Sequence, residues 1–100
     1  MADVRRLRVD KYGPAFQATL KHQRIHPGTD RARALAGAIR RLRSAERLPL
    51  EGDAEIELWG AQRFWAHGFA SRLWLYYRTE PTGSDEYVEF MAVRDHLHEQ

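Results

Sequence analysis

The order of apolar and polar positions predicts a helical first half of the chain and a β-rich second half. Residues 4–11 alternate in part, which is typical of a short strand with one solvent-exposed face. Pro14 suits the first turn of a helix that is predicted over residues 15–25. Pro27 ends this helix, because the residue before a proline avoids the helical conformation.

A second helix follows, and its periodicity is the clearest in the chain. Thr29 or Asp30 is a suitable N-cap residue. Gly37 lies inside this helix, where glycine costs about 1 kcal/mol relative to alanine unless another group packs close to it. The apolar residues that recur at helical spacing predict a buried stripe of Leu35, Ile39 and Leu42.

The second half of the chain is typical of strands. Residues 55–59 predict a short strand or an extended segment, and residues 62–69 predict an aromatic-rich strand that ends in a turn. Residues 72–79 are apolar on both faces, so this strand is predicted to lie in the centre of a sheet. The last strand is predicted over residues 87–94. Alternation places its residues on two faces, with Val88, Phe90 and Ala92 on one and Tyr87, Met91 and Val93 on the other.

The order of these elements predicts the fold class. A strand, two helices and then three or four strands (β-α-α-β-β-β) form an α+β fold, with two helices packed on one face of a small, mostly antiparallel twisted sheet. The first strand is expected to join the sheet beside one of the later strands. A chain of 100 residues is long enough for one small core, so we expect a single domain over residues 1–100.

The charges are divided between the two halves of the chain. Residues 1–50 hold twelve Lys and Arg against four Asp and Glu, whereas residues 51–100 hold four against ten. Most of the cations are arginines, whose planar fork suits phosphate groups. This division favours a surface that attracts an anion, and the alternative is a well-solvated, arginine-rich helix.

The composition also excludes several classes of protein. The sequence has no cysteine, so disulfides and thiolate metal sites are impossible. Its apolar runs are far shorter than the roughly 20 residues that cross a bilayer, and its first residues lack a secretory signal, so we expect a cytoplasmic protein with no membrane partner. It also lacks a glycine-rich phosphate loop and a nucleophile elbow, which argues against nucleotide hydrolysis and acyl transfer.

Candidate chemistry lies first on the sheet. Alternation places Arg63 and His67 on one side of their strand, and Arg72 and Arg78 together on the next strand. If the two strands pair with these sides together, the four side chains cluster among aromatic rings, which is typical of single-stranded RNA recognition. The alternative is a half-exposed sheet whose arginine stems cover Trp and Tyr rings.

Histidines supply the other candidates. His96 follows the last strand and can act as a general acid or base, with the neighbouring Arg94 stabilising charge on a phosphate, whereas the alternative is a solvated tail. His22 and His26 have a spacing that can bind zinc on a helix. Because Pro27 ends the helix there and no third ligand lies nearby, we expect no metal site.

Three stretches resemble the RelE/ParE superfamily of toxin–antitoxin toxins, and within it the YoeB/Txe-like branch. They are WGAQRF at 59–64, SRLWLYY at 71–77 and VRDH at 93–96. The branch has a similar progression: a tryptophan and an arginine on one strand, a His-Arg-Leu-Val-Tyr-like start to the next, and a terminal Arg-x-His. The family has an aromatic residue after this histidine, where the chain has Leu97.

This resemblance implies a metal-independent endoribonuclease that cuts messenger RNA, without a cofactor, and is silenced by a cognate antitoxin. The 2′-hydroxyl of the RNA attacks the adjacent phosphate while the protein supplies a base, an acid and cations. By position, Arg72 holds the phosphate, His96 is the acid and Arg63 assists. The base is expected among Glu51, Glu55 and Glu57. Further substrate contacts are expected from Arg78, Arg94, His67, Arg40 and Arg43.

Two other functions are compatible with the same residues. The chain can be a non-catalytic interaction protein on the same scaffold, either with a gyrase-type target, as in the ParE branch, or inert. It can also be a nucleic-acid-binding module in which Arg40, Arg41 and Arg43 of the second helix make the contacts. The partners expected are an antitoxin and RNA or the ribosome, and the protein itself is expected to be a monomer or a homodimer.

Overall fold

The computed structural model describes residues 8–58, 62–82 and 85–97. The elements in these residues are β1 (Val9–Tyr12), α1 (Phe16–His22), α2 (Asp30–Ser44), β2 (Ala54–Leu58), β3 (Gln62–Ala70), β4 (Leu73–Thr82) and β5 (Asp85–Arg94). They form one five-stranded sheet in the order β1-β5-β4-β3-β2. The pair β1–β5 is parallel, and the other three pairs are antiparallel.

The predicted α+β class is confirmed. Both helices pack on one face of the sheet, which is called the helix side below, and the opposite face is called the outward face. The first strand joins the sheet beside the last one, and four strands follow the helices. The early part of the first predicted strand, residues 4–7, lies outside the described residues. None of the helices in the described part of the chain is long and apolar enough to cross a bilayer.

Thr19 of α1 fixes this short helix against the sheet. Its hydroxyl donates to the carbonyl of Phe16 at 2.7 Å and accepts from the backbone N–H of Val93 at 3.0 Å. The strand β1 stops pairing with β5 at Phe90, so Val93 lies beyond its reach. The buried hydroxyl therefore satisfies an N–H of β5 that β1 does not cover.

The two ends of α2 are capped by side chains. The Thr29 hydroxyl accepts from the N–H of Ala32 at 3.2 Å, which confirms the predicted cap. At the other end, the largely buried guanidinium of Arg8 donates to the carbonyls of Leu42 and Ala45 and pairs with Glu86 at 2.9 Å. A cation at the last turn satisfies carbonyls that have no helical partner and complements the helix dipole.

The main core lies between the helices and the sheet, and β4 is central to it. Leu35, Ala38 and Leu42 of α2 are buried, and Ile39 of the predicted stripe is partly buried. Tyr76 and Tyr77 point to opposite faces of β4, yet they are only 1% and 0% exposed. Burial on both faces confirms that this strand is the centre of the sheet.

The predicted faces of the last strand are wrong in part. Val88, Phe90 and Val93 point to the helix side, whereas Ala92 points outward with Met91. The cause is a β-bulge, because Tyr76 pairs with Ala92 and Tyr77 pairs with Phe90. Met91 is the extra residue, and it reverses the alternation that a regular strand would keep.

The turn between β3 and β4 also differs from the prediction. β3 extends to Ala70, one residue beyond the predicted strand, and the turn consists of Ser71 and Arg72. Arg72, predicted as the first residue of a strand, has a φ of 58°, in the left-handed region that favours glycine. The strand β4 therefore begins at Leu73.

Candidate functional site

The outward face carries a second, smaller apolar cluster. Its buried members come from four different elements and are Ile56, Ala66, Tyr76 and Ala92. The partly buried side chains that pack around them are Ala54, Trp74, Met91 and Leu97. This face therefore offers an apolar surface, with the ring of Trp74 partly accessible, that neither helix covers.

The register of β4 and β5 places three predicted site residues at the same end of the sheet. Trp74 and Arg94 are direct cross-strand partners, so they share the outward face. Arg72 lies in the turn just before β4, and His96 lies in the tail just after β5. Because β4 and β5 are antiparallel, Arg72 and His96 are at the end of the sheet where Trp74 pairs with Arg94.

The tail after β5 is held against the outward face. The Tyr76 hydroxyl donates to the carbonyl of His96 at 2.7 Å, and Leu97 packs on the apolar cluster. The imidazole of His96 is 58% exposed, and its Nδ1 lies 2.8 Å from a carboxylate oxygen of Asp95. This hydrogen bond lowers the pKa of Asp95 below its usual value.

Arg63 and His67 lie on the helix side, so the expected cluster with Arg72 and Arg78 is wrong. Ala66 pairs with the outward Tyr76, and the residues on either side of Ala66 must therefore face the helices. Alternation grouped the residues within each strand correctly, but the pairing of the strands places the two groups on opposite faces.

Several of the predicted contacts are held in ion pairs. Arg63 Nε lies 3.2 Å from Glu55, one of the candidate bases. Arg78, on the outward face, pairs with Glu89 at 2.6 Å.

On α2, Arg43 pairs with Asp10 of β1 at 3.2 Å, and Arg40 is exposed. Of the other candidate bases, Glu51 lies in an exposed turn before β2. Glu57 belongs to β2, and its side chain lies outside the described residues.

His67 belongs to a cluster that the sequence did not reveal. Its Nδ1 lies 2.7 Å from Oδ1 of Asp53, a carboxylate that is 3% exposed. The other carboxylate oxygen accepts from the Tyr77 hydroxyl and from the N–H of Leu50. On its outer side, His67 Nε2 lies 3.4 Å from a guanidinium nitrogen of Arg41. We call Asp53, His67, Tyr77 and Arg41 the Asp53 cluster.

Burial is the main cause of the raised pKa of Tyr77, and its hydrogen bond to Asp53 adds to the effect. The phenol therefore stays a neutral donor to the carboxylate. Asp53 was not predicted as a functional residue, because it comes from a loop and finds its partners far along the chain. The signal available in the sequence was a lone His67 on a strand.

Among solved structures, the chain is similar to a YoeB/ParE toxin from Agrobacterium tumefaciens. The TM-score is 0.58 at 21% identity, and the match covers 91% of this chain and 99% of that one. The chain has a RelE/ParE-like toxin fold. No family model matches the sequence, and no curated protein gives a significant match.

Within the RelE/ParE-like toxin fold, the residues that the resemblance assigned to cleavage are divided between two faces. Arg72 and His96 lie at the same end of the sheet as Arg94. Arg63 lies on the helix side with Glu55. Arg63 is therefore on the opposite face of the sheet from Arg94.

Proposed function

We propose that the chain is the toxin of a type II toxin–antitoxin system and cleaves messenger RNA as a metal-independent endoribonuclease. The observation that supports this proposal is the register of β4 and β5, which pairs Trp74 with Arg94 at the end of the sheet where Arg72 precedes β4 and His96 follows β5. The RelE/ParE-like toxin fold supports the same conclusion.

In the proposed reaction, the 2′-oxygen of the RNA attacks the adjacent phosphorus, and the bond to the 5′-oxygen of the next nucleotide breaks. The leaving oxygen needs a proton, which the exposed imidazole of His96 supplies. The guanidinium groups of Arg72 and Arg94 stabilise the charge that builds on the phosphate oxygens. The ring of Trp74, paired with Arg94, is a surface on which a base can stack.

The products are a cyclic 2′,3′-phosphate and a 5′-hydroxyl, and a general base removes the proton of the attacking 2′-hydroxyl. Glu55 is held by Arg63 on the opposite face of the sheet, so it is a poor candidate. Glu57 is the direct partner of Arg63 in the register of β2 and β3, so the same argument applies to it. Glu51 remains the candidate. Glu51→Gln tests it, since removing the base lowers the cleavage rate and leaves RNA binding intact.

An antitoxin needs a surface to bind, and the groove between α1 and α2 suits one. It has a volume of about 490 Å³ and is lined largely by apolar side chains, among them Tyr12, Leu20, Ile25, Leu35 and Ile39. Lys21 and His26 also line it. An amphipathic antitoxin segment with an apolar face and acidic flanks would complement this groove in the basic half of the chain.

The test is cleavage of a defined message in a translating extract. The unmodified protein should cut the message, and Arg72→Ala and His96→Ala should each reduce the cleavage rate by at least about 100-fold. Arg40→Ala is the matched control, because Arg40 is an exposed arginine on α2. Its cleavage rate should be unchanged. Equal cleavage by all three variants would refute the proposed site.

A second candidate is a non-catalytic interaction protein on the same scaffold. The ion pairs of Arg63 with Glu55 and of Arg78 with Glu89 favour it, because they reduce the positive charge that is available to RNA. In that case expression arrests growth without cleaving messages, and the arrest survives in His96→Ala. Supercoiling by purified gyrase with and without the protein then identifies a gyrase-type target.

A further inference from the structure

The Asp53 cluster lies on the helix side of the sheet, away from the proposed cleavage site. It has the components of a binding site rather than of a simple packing contact. Asp53 is 3% exposed and is fully engaged, whereas His67 is 12% exposed and has its Nε2 directed towards the exposed Arg41. A buried group therefore orients a histidine whose other nitrogen faces a cation at the surface.

The partners of Asp53 determine which nitrogen of His67 carries the proton. A carboxylate only accepts hydrogen bonds, so the 2.7 Å contact requires a proton on Nδ1 of His67. In the neutral ring, Nε2 is then an acceptor, and it takes a weak 3.4 Å contact from Arg41. In the imidazolium form, Nε2 becomes a donor that faces a second donor.

An anion between the two donors relieves this conflict. Both the imidazolium and the guanidinium would donate to its oxygens, and with the Asp53 carboxylate behind the ring the site keeps one net positive charge. The Asp53 carboxylate behind the ring stabilises the imidazolium and keeps Nε2 pointing outwards, as a second carboxylate does for many histidines that bind ligands.

There is also room at the surface beside Arg41. Gly37 lies one turn earlier on the same face of α2, because residues four apart share a face of a helix. A Cβ atom added to Gly37 would meet nothing within 4 Å. The glycine therefore does not serve close packing, and the surface of α2 one turn before Arg41 is open.

We propose that His67 and Arg41, oriented by Asp53, form a binding site for a terminal phosphate group. The site does not depend on the proposed cleavage reaction, since it lies on the other face of the sheet and uses none of the same residues. The phosphate can be free orthophosphate or the 5′-phosphate monoester at the end of an RNA strand, and both present at least three terminal oxygens.

Among the side chains that the structure describes, the charged groups in contact with His67 are Asp53 from the loop before β2 and Arg41 from α2. Tyr77 of β4 acts on it through Asp53.

Calorimetric titration of the full chain with orthophosphate at pH 6 tests the proposal. We expect saturable binding. Arg41→Gln and His67→Gln should each weaken binding by at least about tenfold. Arg40→Gln removes a neighbouring exposed arginine and should leave binding unchanged.

Circular dichroism checks that each variant is folded. Because Arg41 is exposed, Arg41→Gln is expected to fold. This variant tests the proposal even if His67→Gln fails to fold. Oligonucleotides with a 5′-phosphate or a 5′-hydroxyl separate the two sources: tighter binding of the phosphorylated strand than of the hydroxyl-ended strand indicates a strand end, and equal binding of the two strands indicates free phosphate. Absence of saturable binding at pH 6, or equal losses in Arg40→Gln and Arg41→Gln, would overturn the proposal.

Discussion

At the scale of single residues, Asp53 connects three separate parts of the chain. Its carboxylate accepts hydrogen bonds from Tyr77 of β4, from the backbone of Leu50 and from His67 of β3. A carboxylate that is 3% exposed is stable only when its oxygens are satisfied in this way. The loop before β2 is therefore held to the sheet by polar contacts beneath the edge of α2.

The Tyr77 hydroxyl gives this cluster a predictable response to alkaline pH. Burial raises its pKa well above the ordinary value of about 10. The phenol therefore stays neutral in the folded protein at pH values at which the same phenol ionises in the unfolded chain. The stability that this provides is complete below about pH 10 and is lost as the pH rises further, at roughly 1.4 kcal/mol per pH unit.

Comparison with Tyr77→Phe isolates this effect, because the variant has no phenol to ionise. Urea unfolding should show that the free energy of unfolding of the unmodified protein, relative to the variant, declines between pH 10 and pH 11. A difference that stays constant over this interval would show that the folded protein does not hold Tyr77 neutral.

Arg72 combines an unfavourable backbone conformation with a proposed functional role. Its φ of 58° is a conformation that glycine adopts without steric cost. Arg72→Gly should therefore leave the free energy of unfolding unchanged or raise it by up to about 1 kcal/mol, while RNA cleavage is lost. Urea unfolding and message cleavage on the same preparation measure both.

Arg24 provides the matched control for this experiment, because it also has a positive φ, of 55°, and lies at the end of α1. Arg24→Gly should have the same small effect on stability and retain cleavage. If Arg72→Gly is strongly destabilising, the side chain contributes to folding, and its effect on cleavage no longer reports a catalytic role.

At the scale of elements, α2 is capped at both ends but contains a glycine in its centre. A Cβ at Gly37 would meet nothing within 4 Å, so no packing contact requires the missing side chain. The helix thus carries the conformational cost of glycine without a compensating contact from the described residues.

Gly37→Ala should therefore raise the free energy of unfolding by about 1 kcal/mol, measured by urea denaturation. Gly28→Ala is the opposite control, since Gly28 has a φ of +84° and alanine would be strained there. It should lower stability by about 1 kcal/mol. A loss of stability in Gly37→Ala would show that the space beside this residue is filled when the protein folds in solution.

At the scale of the whole molecule, two positively charged regions lie on opposite sides of the sheet. One includes Arg94 on the outward face, with Arg72 at the same end of the sheet, and the other is the surface of α2, where Arg40 and Arg41 are exposed. Both are suited to anions, and the first lies next to the partly exposed ring of Trp74 and the tail that carries His96.

The salt dependence of RNA binding distinguishes these regions. Each lost phosphate contact should reduce the slope of log K against log salt by about 0.7 for a single strand. Arg72→Ala and Arg94→Ala should each produce this change, and Arg40→Ala should not. If the slope is reduced in Arg40→Ala instead, α2 is the nucleic-acid interface, and the protein is an arginine-rich nucleic-acid-binding module.

Local rules were enough to predict much of this fold. Proline and glycine positions, the Thr29 cap and helical or alternating periodicity depend on neighbours in sequence, so the two helices and the strands were predicted close to where they occur. The central position of β4 was also predictable, because a strand that is apolar on both faces must be buried on both faces. The resemblance of three short stretches to the RelE/ParE superfamily is confirmed at the level of the fold.

The division of the candidate site between two faces was decided only by the tertiary structure. The sequence of one strand shows which of its residues share a face. The pairing register decides which residues of the neighbouring strand lie on that same face. In β5, the extra residue Met91 also reverses the alternation of faces after Phe90. Asp53 meets His67 and Tyr77 across separations of 14 and 24 residues. Contacts of this kind arise from the packing of loops and strands, and periodicity carries no information about them.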